Sequence, residues 1–330
     1  MTTRRKFLLT LPALYATSFS RAQGPERAGK VVRAGILVTS TAAKYQTLEK
    51  IFIETLRDSG WTEGNNIVFD RAYADDDESR LPLLSEGLVT RNANLIFAPY
   101  NAPLLAAFAK TRTIPIVFSA VTGPVEIGLA RSLAHPGGNV TGVANISWEL
   151  GGKRMQLLKQ AIPKLSRIGV LVNPTIDYSL REQQLIEQAA ASSRARIVPV
   201  MAKEVGDIEG AFASLSRNRV EAVIVTHNAL FIISGRKHVL AFAARYRIPV
   251  IGPRGELTEE GALMSYGSNL DDQTRRAAQL ADKILRGTKP ADIPIEQPTK
   301  FELVINKITA KTLGITFPGE IMLQATRVIE

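Results

Sequence analysis

The stretch LIFAPYNAPLLAAFAKTRTIPIVFSAVTGPVEIGLARSLAHPGGNVTGVAN, residues 95–145, decides the fold. It opens with an apolar run, Leu95–Ala98, too short for a helix and ending in a polar tip at Tyr100–Asn101. The Ala/Leu-rich segment Leu104–Lys110 follows, then a second apolar run, Ile114–Ser119, with Pro115 near its start. Strand, tip, helix, strand is the rhythm of a parallel sheet whose strands are buried on both faces. The tips after such strands are where open α/β sheets bind ligands.

The chain then repeats the pattern. In AVIVTHNALFIISGRKHVLAFAARYRIPVIG, residues 222–252, Val223–Thr226 matches the first run and His227–Asn228 matches Tyr100–Asn101. Ile248–Ile251 matches Ile114–Val117. Upstream, RAGILV from Arg33 is echoed by RIGVLV from Arg167, and Ile67–Ala72 by Ile197–Ala202. The offsets are 134 residues (Arg33 to Arg167), 130 (Ile67 to Ile197), 127 (Asn101 to Asn228) and 134 (Ile114 to Ile248). Such constant spacing means two similar α/β lobes in one chain.

At 330 residues there is room for two domains, and 45% hydrophobic content supplies two cores. The charge balance of +10 is partly an effect of the first 22 residues, which carry Arg4, Arg5, Lys6 and Arg21 and no acid. Without them 37 basic residues face 31 acidic ones, a balance of +6 without a strong cluster. That is solvated basicity, and no nucleic-acid partner is expected. The same 22 residues read as an export signal: a basic head, an apolar stretch Phe7–Phe19, and small residues at Ser20 and Ala22. TRRKFL from Thr3 is similar to the bacterial twin-arginine motif. There is no cysteine, which excludes a lipidated N-terminal Cys, disulfides, thiolate metal sites and Cys catalysis. No later stretch holds the ~18 apolar residues of a membrane-spanning helix, so the mature chain is expected in the periplasm as a soluble monomer.

Periodicity places further elements. Strands are expected at Val32–Val38 and Ile67–Tyr73, helices over 44–59, 80–92 and 153–162, a short helix between Gly123 and Asn139, and a connection leaving the first lobe over 140–146. The second lobe alternates strands and helices from Arg167 to Ile251. The amphipathic helix 273–286, the strand Phe301–Asn306 and the helix Lys307–Leu313 follow both repeats and so could return to either lobe. The acidic run Asp75–Glu78 has no loop scaffold to converge as an oxygen cage and suits a helix N-terminus instead.

Catalytic signals are thin. His135 lies in a Gly/Pro turn, His238 on a basic helix surface, and only His227 sits at a strand tip. No Gly-x-Ser-x-Gly elbow occurs, and Gly151-Gly-Lys153 lacks the rest of a phosphate-binding loop. No enzyme activity, cofactor or metal is expected. The strand tips, by contrast, carry groups that hold a small polar molecule without reacting with it. The first lobe offers Ser40, Thr41, Tyr100, Asn101, Ser119 and Thr122; the second offers Asn173, His227, Asn228 and Arg254, with Tyr266 as an aromatic face. Hydroxyls, amides and one cation, backed by helix N-termini, suit an anionic or zwitterionic ligand.

Four segments carry a resemblance: IPIVFSAVTGPV from Ile114, LAHPGGNVTG from Leu133, GALMSYG from Gly261 and EQPTKFELVIN from Glu296. Over residues 31–330 the chain resembles the periplasmic substrate-binding components of ABC importers, in the tryptophan-binding-like group. The resemblance implies a periplasmic-binding-protein type I-like fold, no catalysis, and delivery of a small ligand to an ABC permease in the inner membrane. It also implies an amino acid or related small organic ligand. Many members have Asp where Gly123 stands, so the usual partner of a ligand ammonium is expected to be missing.

The expected fold class is α/β: two similar doubly wound parallel-sheet lobes joined by a hinge. Residues 1–22 form the signal, 31–144 plus about 270–299 the N-terminal lobe, and 145–269 plus about 300–330 the C-terminal lobe. An effector-sensing domain without a transport role is the alternative. A two-lobed isomerase-like enzyme would need paired acid/base residues, usually cysteines, and none are present.

Overall fold

A computed structural model describes residues 31–193 and 195–330; the expected export signal, residues 1–22, lies outside them. The first lobe runs β1 (Val32–Val38), α1 (Ala42–Asp58), β2 (Ile67–Tyr73), α2 (Leu81–Thr90), β3 (Leu95–Phe97), α3 (Asn101–Lys110), β4 (Ile116–Thr122) and β5 (Val140–Asn145). The chain then forms α4 (Gly151–Ala161), β6 (Arg167–Val172), α5 (Asp177–Ala191), β7 (Arg196–Met201), α6 (Asp207–Arg217), β8 (Ala222–Val225), α7 (Arg236–Tyr246), β9 (Val250–Gly252), α8 (Gly255–Glu259) and β10 (Met264–Ser268). It ends with α9 (Leu270–Leu285), β11 (Phe301–Asn306), α10 (Lys307–Leu313), α11 (Gly319–Gln324) and β12 (Arg327–Ile329).

The strand orders make the internal repeat visible. The first sheet is β2-β1-β3-β4-β5; the second is β7-β6-β8-β9-β10 with β11 and β12 added at its edge. The central strands are mostly apolar, and every residue of β4, β8 and β9 is buried, Ser119 and Thr122 included. Such runs satisfy their backbone in the parallel ladder and cover both faces with helices. One pairing departs from the expected all-parallel sheet. β11 runs antiparallel to β10, with Met264 opposite Ile305 and Ser268 opposite Phe301, because the chain returns to the second lobe from α9 rather than through a crossover helix.

Two further expectations are corrected. Residues 140–145 are not a bare connection but β5, in register with β4 from Ile116 opposite Val140. Gly142 allows this approach, since a Cβ there would lie 2.2 Å from the Phe118 carbonyl oxygen. Between Gly123 and Asn139 there are turns and no helix; Gly123 and Gly128 both have positive φ, and the Leu129 amide folds back onto Pro124.

The chain crosses from one sheet's core to the other's between β5 and α4, between β10 and α9, and between α9 and β11. Helix α9 leaves the second sheet and buries Ala277, Ala278, Leu280, Ala281 and Ile284 in the same core cluster as Phe52 and Leu56 of α1. Its far end is fixed by Trp61 Nε1 donating to Asp282 at 2.8 Å and Arg286 donating to the Ser59 carbonyl at 2.6 Å. The segment after it lies along β5, with the Glu296 amide on the Gly142 carbonyl at 2.9 Å. The Asn269 amide on the Lys300 carbonyl, 3.0 Å, ties two of the passages together.

Candidate functional site

The tips of β3 and β4 are built from strained backbone. Tyr100 has φ 65 and ψ 170, a conformation that costs a residue with a side chain ~1–3 kcal/mol and gathers at functional sites. Ala120, with φ 57, is a bulge that shifts the β4 register between Ser119 and Val121. Asn101 locks the two tips: its Oδ1 accepts from the Thr122 amide at 3.0 Å and its Nδ2 donates to the Thr122 carbonyl at 2.9 Å. The Tyr100 amide donates to the Ser119 carbonyl at 2.9 Å. Together these bonds hold the Tyr100 ring at the edge of the lobe.

From the second lobe, Arg254 meets it. Gly267 in β10 makes room for the turn after β9, since a Cβ there would stand 1.9 Å from the Pro253 carbonyl oxygen. The Arg254 guanidinium carbon lies 5.8 Å from the Tyr100 ring centroid, a cation–π contact between lobes. Its Nε also donates to Glu256 at 3.2 Å. Burial works against the charge of Arg254, but Tyr100 and Glu256 outweigh it and raise its pKa, so the guanidinium stays charged. Arg254 likewise holds the Glu256 carboxyl below its usual range against the effect of burial.

His227 makes a second inter-lobe link. Its Nε2 lies 3.0 Å from Asn145 Nδ2, at the end of β5. The Asn145 amide is oriented by its Oδ1, which accepts from the Ser147 amide at 2.8 Å. Nδ2 therefore donates, Nε2 accepts, and the ring proton sits on Nδ1. That Nδ1 is buried without a partner among the described residues. Burial, then the charges of Arg154 and Arg254, push the His227 pKa down to about 3, so the ring is neutral.

Beneath this tip lies a charged pair that residue patterns did not reveal as functional. Arg154 of α4 and Glu182 of α5 are both fully buried and paired. Arg154 also donates to the Tyr266 carbonyl at 2.8 Å and to the Ser147 carbonyl and hydroxyl, each at 2.7 Å. Glu182 accepts from the His227 amide at 2.6 Å. One ion pair thus fastens the first inter-lobe passage, strand β10 and the His227 tip. Burial pushes the Glu182 carboxyl up, and Arg154 and the His227 amide pull against that. The signal was present: Glu182 shares a helical stripe with Ser179, Ile186 and Ala190, where a carboxylate is out of place.

The other tip residues have bonds within their own lobes. Thr41 caps α1 by accepting from the Lys44 amide at 3.4 Å, with Ser40 half-buried before it. Asn173 closes its own turn onto Thr175 at 3.0 Å, and Asn228 accepts from the Leu230 amide at 2.9 Å. The Tyr266 ring stacks on Phe301 with centroids 6.0 Å apart, inside its own lobe. So the structure brings Tyr100, Arg254 and His227 to the space between the lobes, while Asn101, Asn173, Asn228 and Tyr266 are engaged locally. Next to Gly123, an acid is present after all: Glu126 Oε2 lies 3.2 Å from where a Cβ on Gly123 would be. The Glu149 carboxyl is raised by burial and by the negative charge of Glu126 nearby.

Residues 36–329 match the model of the ABC transporter substrate binding protein family. The chain belongs to that family. A tyrosine-binding protein of Clostridioides difficile (strain R20291) is 30% identical over 268 residues, covering 81% of this chain and 76% of the relative. A substrate binding protein with adhesive properties from Clostridium difficile, solved in a ligand-free, open form, is 26% identical with TM-score 0.74, covering 91% and 99% of the two chains. An ABC domain from Streptococcus pneumonia in complex with L-Trp has TM-score 0.79 at 23% identity, covering 90% and 99%, and shows the shared fold. Members of the family bind small ligands and work with an ABC transporter. Among the described residues no helix is long and apolar enough to cross a membrane.

Proposed function

We propose that this substrate-binding protein captures a small carboxylate with a flat body, an amino acid or a related organic acid, between its lobes and delivers it to an ABC importer. The observation that carries the reading is Arg254 facing Tyr100 across the gap, 5.8 Å from guanidinium carbon to ring centroid. A guanidinium pairs with a carboxylate through two parallel hydrogen bonds, and a tyrosine face accepts a ring. The tyrosine named for the relative of 30% identity is a ligand of that chemistry. Glu126 beside Gly123 supplies an acid for an ammonium.

The two bodies that close on the ligand are residues 31–144 with 270–299, and 145–269 with 300–330. They turn about the passages at 145–151, 268–270 and 296–301. The export signal at residues 1–22 puts the work in the periplasm, and the binding unit is a monomer. The partner is a permease in the inner membrane.

A thermal-shift series with L-tyrosine, L-tryptophan, L-phenylalanine, phenylacetate and ribose tests the reading. A ligand at 100 times its Kd adds about 2.7 kcal/mol of stability, so aromatic acids should raise the midpoint and ribose should not. Stabilisation by ribose alone would overturn it.

A further inference from the structure

Two buried polar side chains in the first lobe have no partner among the described residues, and both stand at helix starts. Tyr45, in the first turn of α1, is 3% exposed and its hydroxyl is unbonded. Glu49 stands one turn on, but Tyr45 forms no bond to it. Arg71 donates to one Glu49 oxygen at 2.6 Å and the Tyr73 hydroxyl to the other. Burial first, then Tyr100, Glu49 and Tyr73, raise the Tyr45 hydroxyl well above the phenol range, which places Tyr100 among its near neighbours. Gln273, in the first turn of α9, is 1% exposed with neither end of its amide bonded.

The packing of the helices puts these groups at one level. Arg286 bonds to the Ser59 carbonyl where the two helices end. Tyr45 lies 14 residues before Ser59 and Gln273 lies 13 before Arg286, each ~20 Å along its helix at ~1.5 Å per residue. Both side chains lie on the buried stripe of their helix. Gln273 also lines a cavity of about 440 Å³ beside Val143 and the 296–300 passage, together with Asp272, Arg275 and Arg276.

Leaving a buried polar group unbonded is costly, so such groups call for a partner. We propose that Tyr45 and Gln273 form a neutral polar subsite that reads a hydroxyl or carboxamide on the far end of the ligand whose carboxylate meets Arg254. The inference rests on the reading of Arg254 and Tyr100 as the ligand grip. It narrows the ligand class to flat acids carrying a neutral hydrogen-bonding tip. Tyr45 and Gln273 themselves bring a hydroxyl and an amide, which match a neutral hydrogen-bonding tip.

Calorimetric titration with two matched pairs tests it: L-tyrosine against L-phenylalanine, and 4-hydroxyphenylacetate against phenylacetate. A site built for a hydroxyl rejects the analogue lacking it, so the hydroxylated probe of each pair should bind at least ~10-fold tighter. Tyr45→Phe and Gln273→Leu should each erode that preference while leaving the affinity for the plain phenyl probes unchanged. Tyr45→Phe should not lower the melting temperature, since no bond inside the protein is lost. Equal binding within both pairs, a preference that survives both substitutions, or a less stable Tyr45→Phe protein would overturn the subsite alone. Binding of none of the four probes would overturn the Arg254–Tyr100 grip, and the subsite with it.

Discussion

Glu182→Gln isolates the buried pair that fastens the His227 tip. The substitution keeps the shape of the side chain and removes one charge. Arg154 then remains a cation with no solvent exposure, retaining only its neutral acceptors, the Tyr266 carbonyl and the Ser147 carbonyl and hydroxyl. Removing one member of a buried pair costs about 3–5 kcal/mol, a large part of the ~5–15 kcal/mol that holds a domain folded. Arg154→Met leaves three acceptors without their donor, at ~1–3 kcal/mol for each that stays dry, but Glu182 can escape its charge by protonation. The double variant Arg154→Met with Glu182→Gln carries neither charge and should be more stable than Glu182→Gln alone. Urea unfolding followed by circular dichroism measures all four proteins. A Glu182→Gln protein within ~0.5 kcal/mol of the parent, the level of an ordinary surface change, would refute the role given to this pair.

Other outcomes can be stated for the gap between the lobes. Arg254→Ala should weaken the binding of L-tyrosine or phenylacetate by ~2–5 kcal/mol in calorimetry, as loss of a buried charged partner does; unchanged affinity would end the carboxylate grip. Glu126→Gln should weaken L-phenylalanine relative to phenylacetate by ~0.2–1 kcal/mol, the range of an exposed ion pair, and an equal change for both would remove Glu126 from ammonium recognition. His227 is neutral when folded, with its pKa down at about 3, whereas an unfolded histidine titrates near ~6.5. At this site the unfolded chain therefore takes up its proton first, and the contribution of His227 to stability falls as pH drops from ~6.5 towards 3, by ~2 kcal/mol at pH 5. The raised Glu182 carboxyl acts in the opposite direction, so the readout is the difference between parent and variant. His227→Gln should lose this dependence, and an unchanged pH profile would count against a buried neutral ring. Small-angle scattering should give a smaller radius of gyration once a probe that binds is added, and an unchanged radius at saturation would argue against closure.

What the residues alone determined follows from local periodicity. Apolar runs such as Leu95–Ala98 and Ile114–Ser119 read as strands buried on both faces, and the recurrence of the pattern at 127–134 residues read as two lobes, which the two sheets bear out. Strand positions and burial depend on neighbours close in sequence, so most of them were legible; β5 and the antiparallel direction of β11, set by pairing across the sheet, were not. The tips were also legible as places, because strand C-termini in open sheets face a crevice. Which tip side chains face the crevice was not. Asn101 and Asn228 have the same residue type and matched positions, yet each is engaged by backbone of its own lobe. Arg254 and Tyr100, 154 residues apart, face each other only because the chain passes between the lobes and sets their angle. The same holds for Arg154, whose four partners come from α5, β10 and the passage at Ser147. Long-range hydrogen bonds and the unpartnered atoms at Tyr45, His227 and Gln273 are properties of packed surfaces. No periodicity encodes them, so only the tertiary structure decided them.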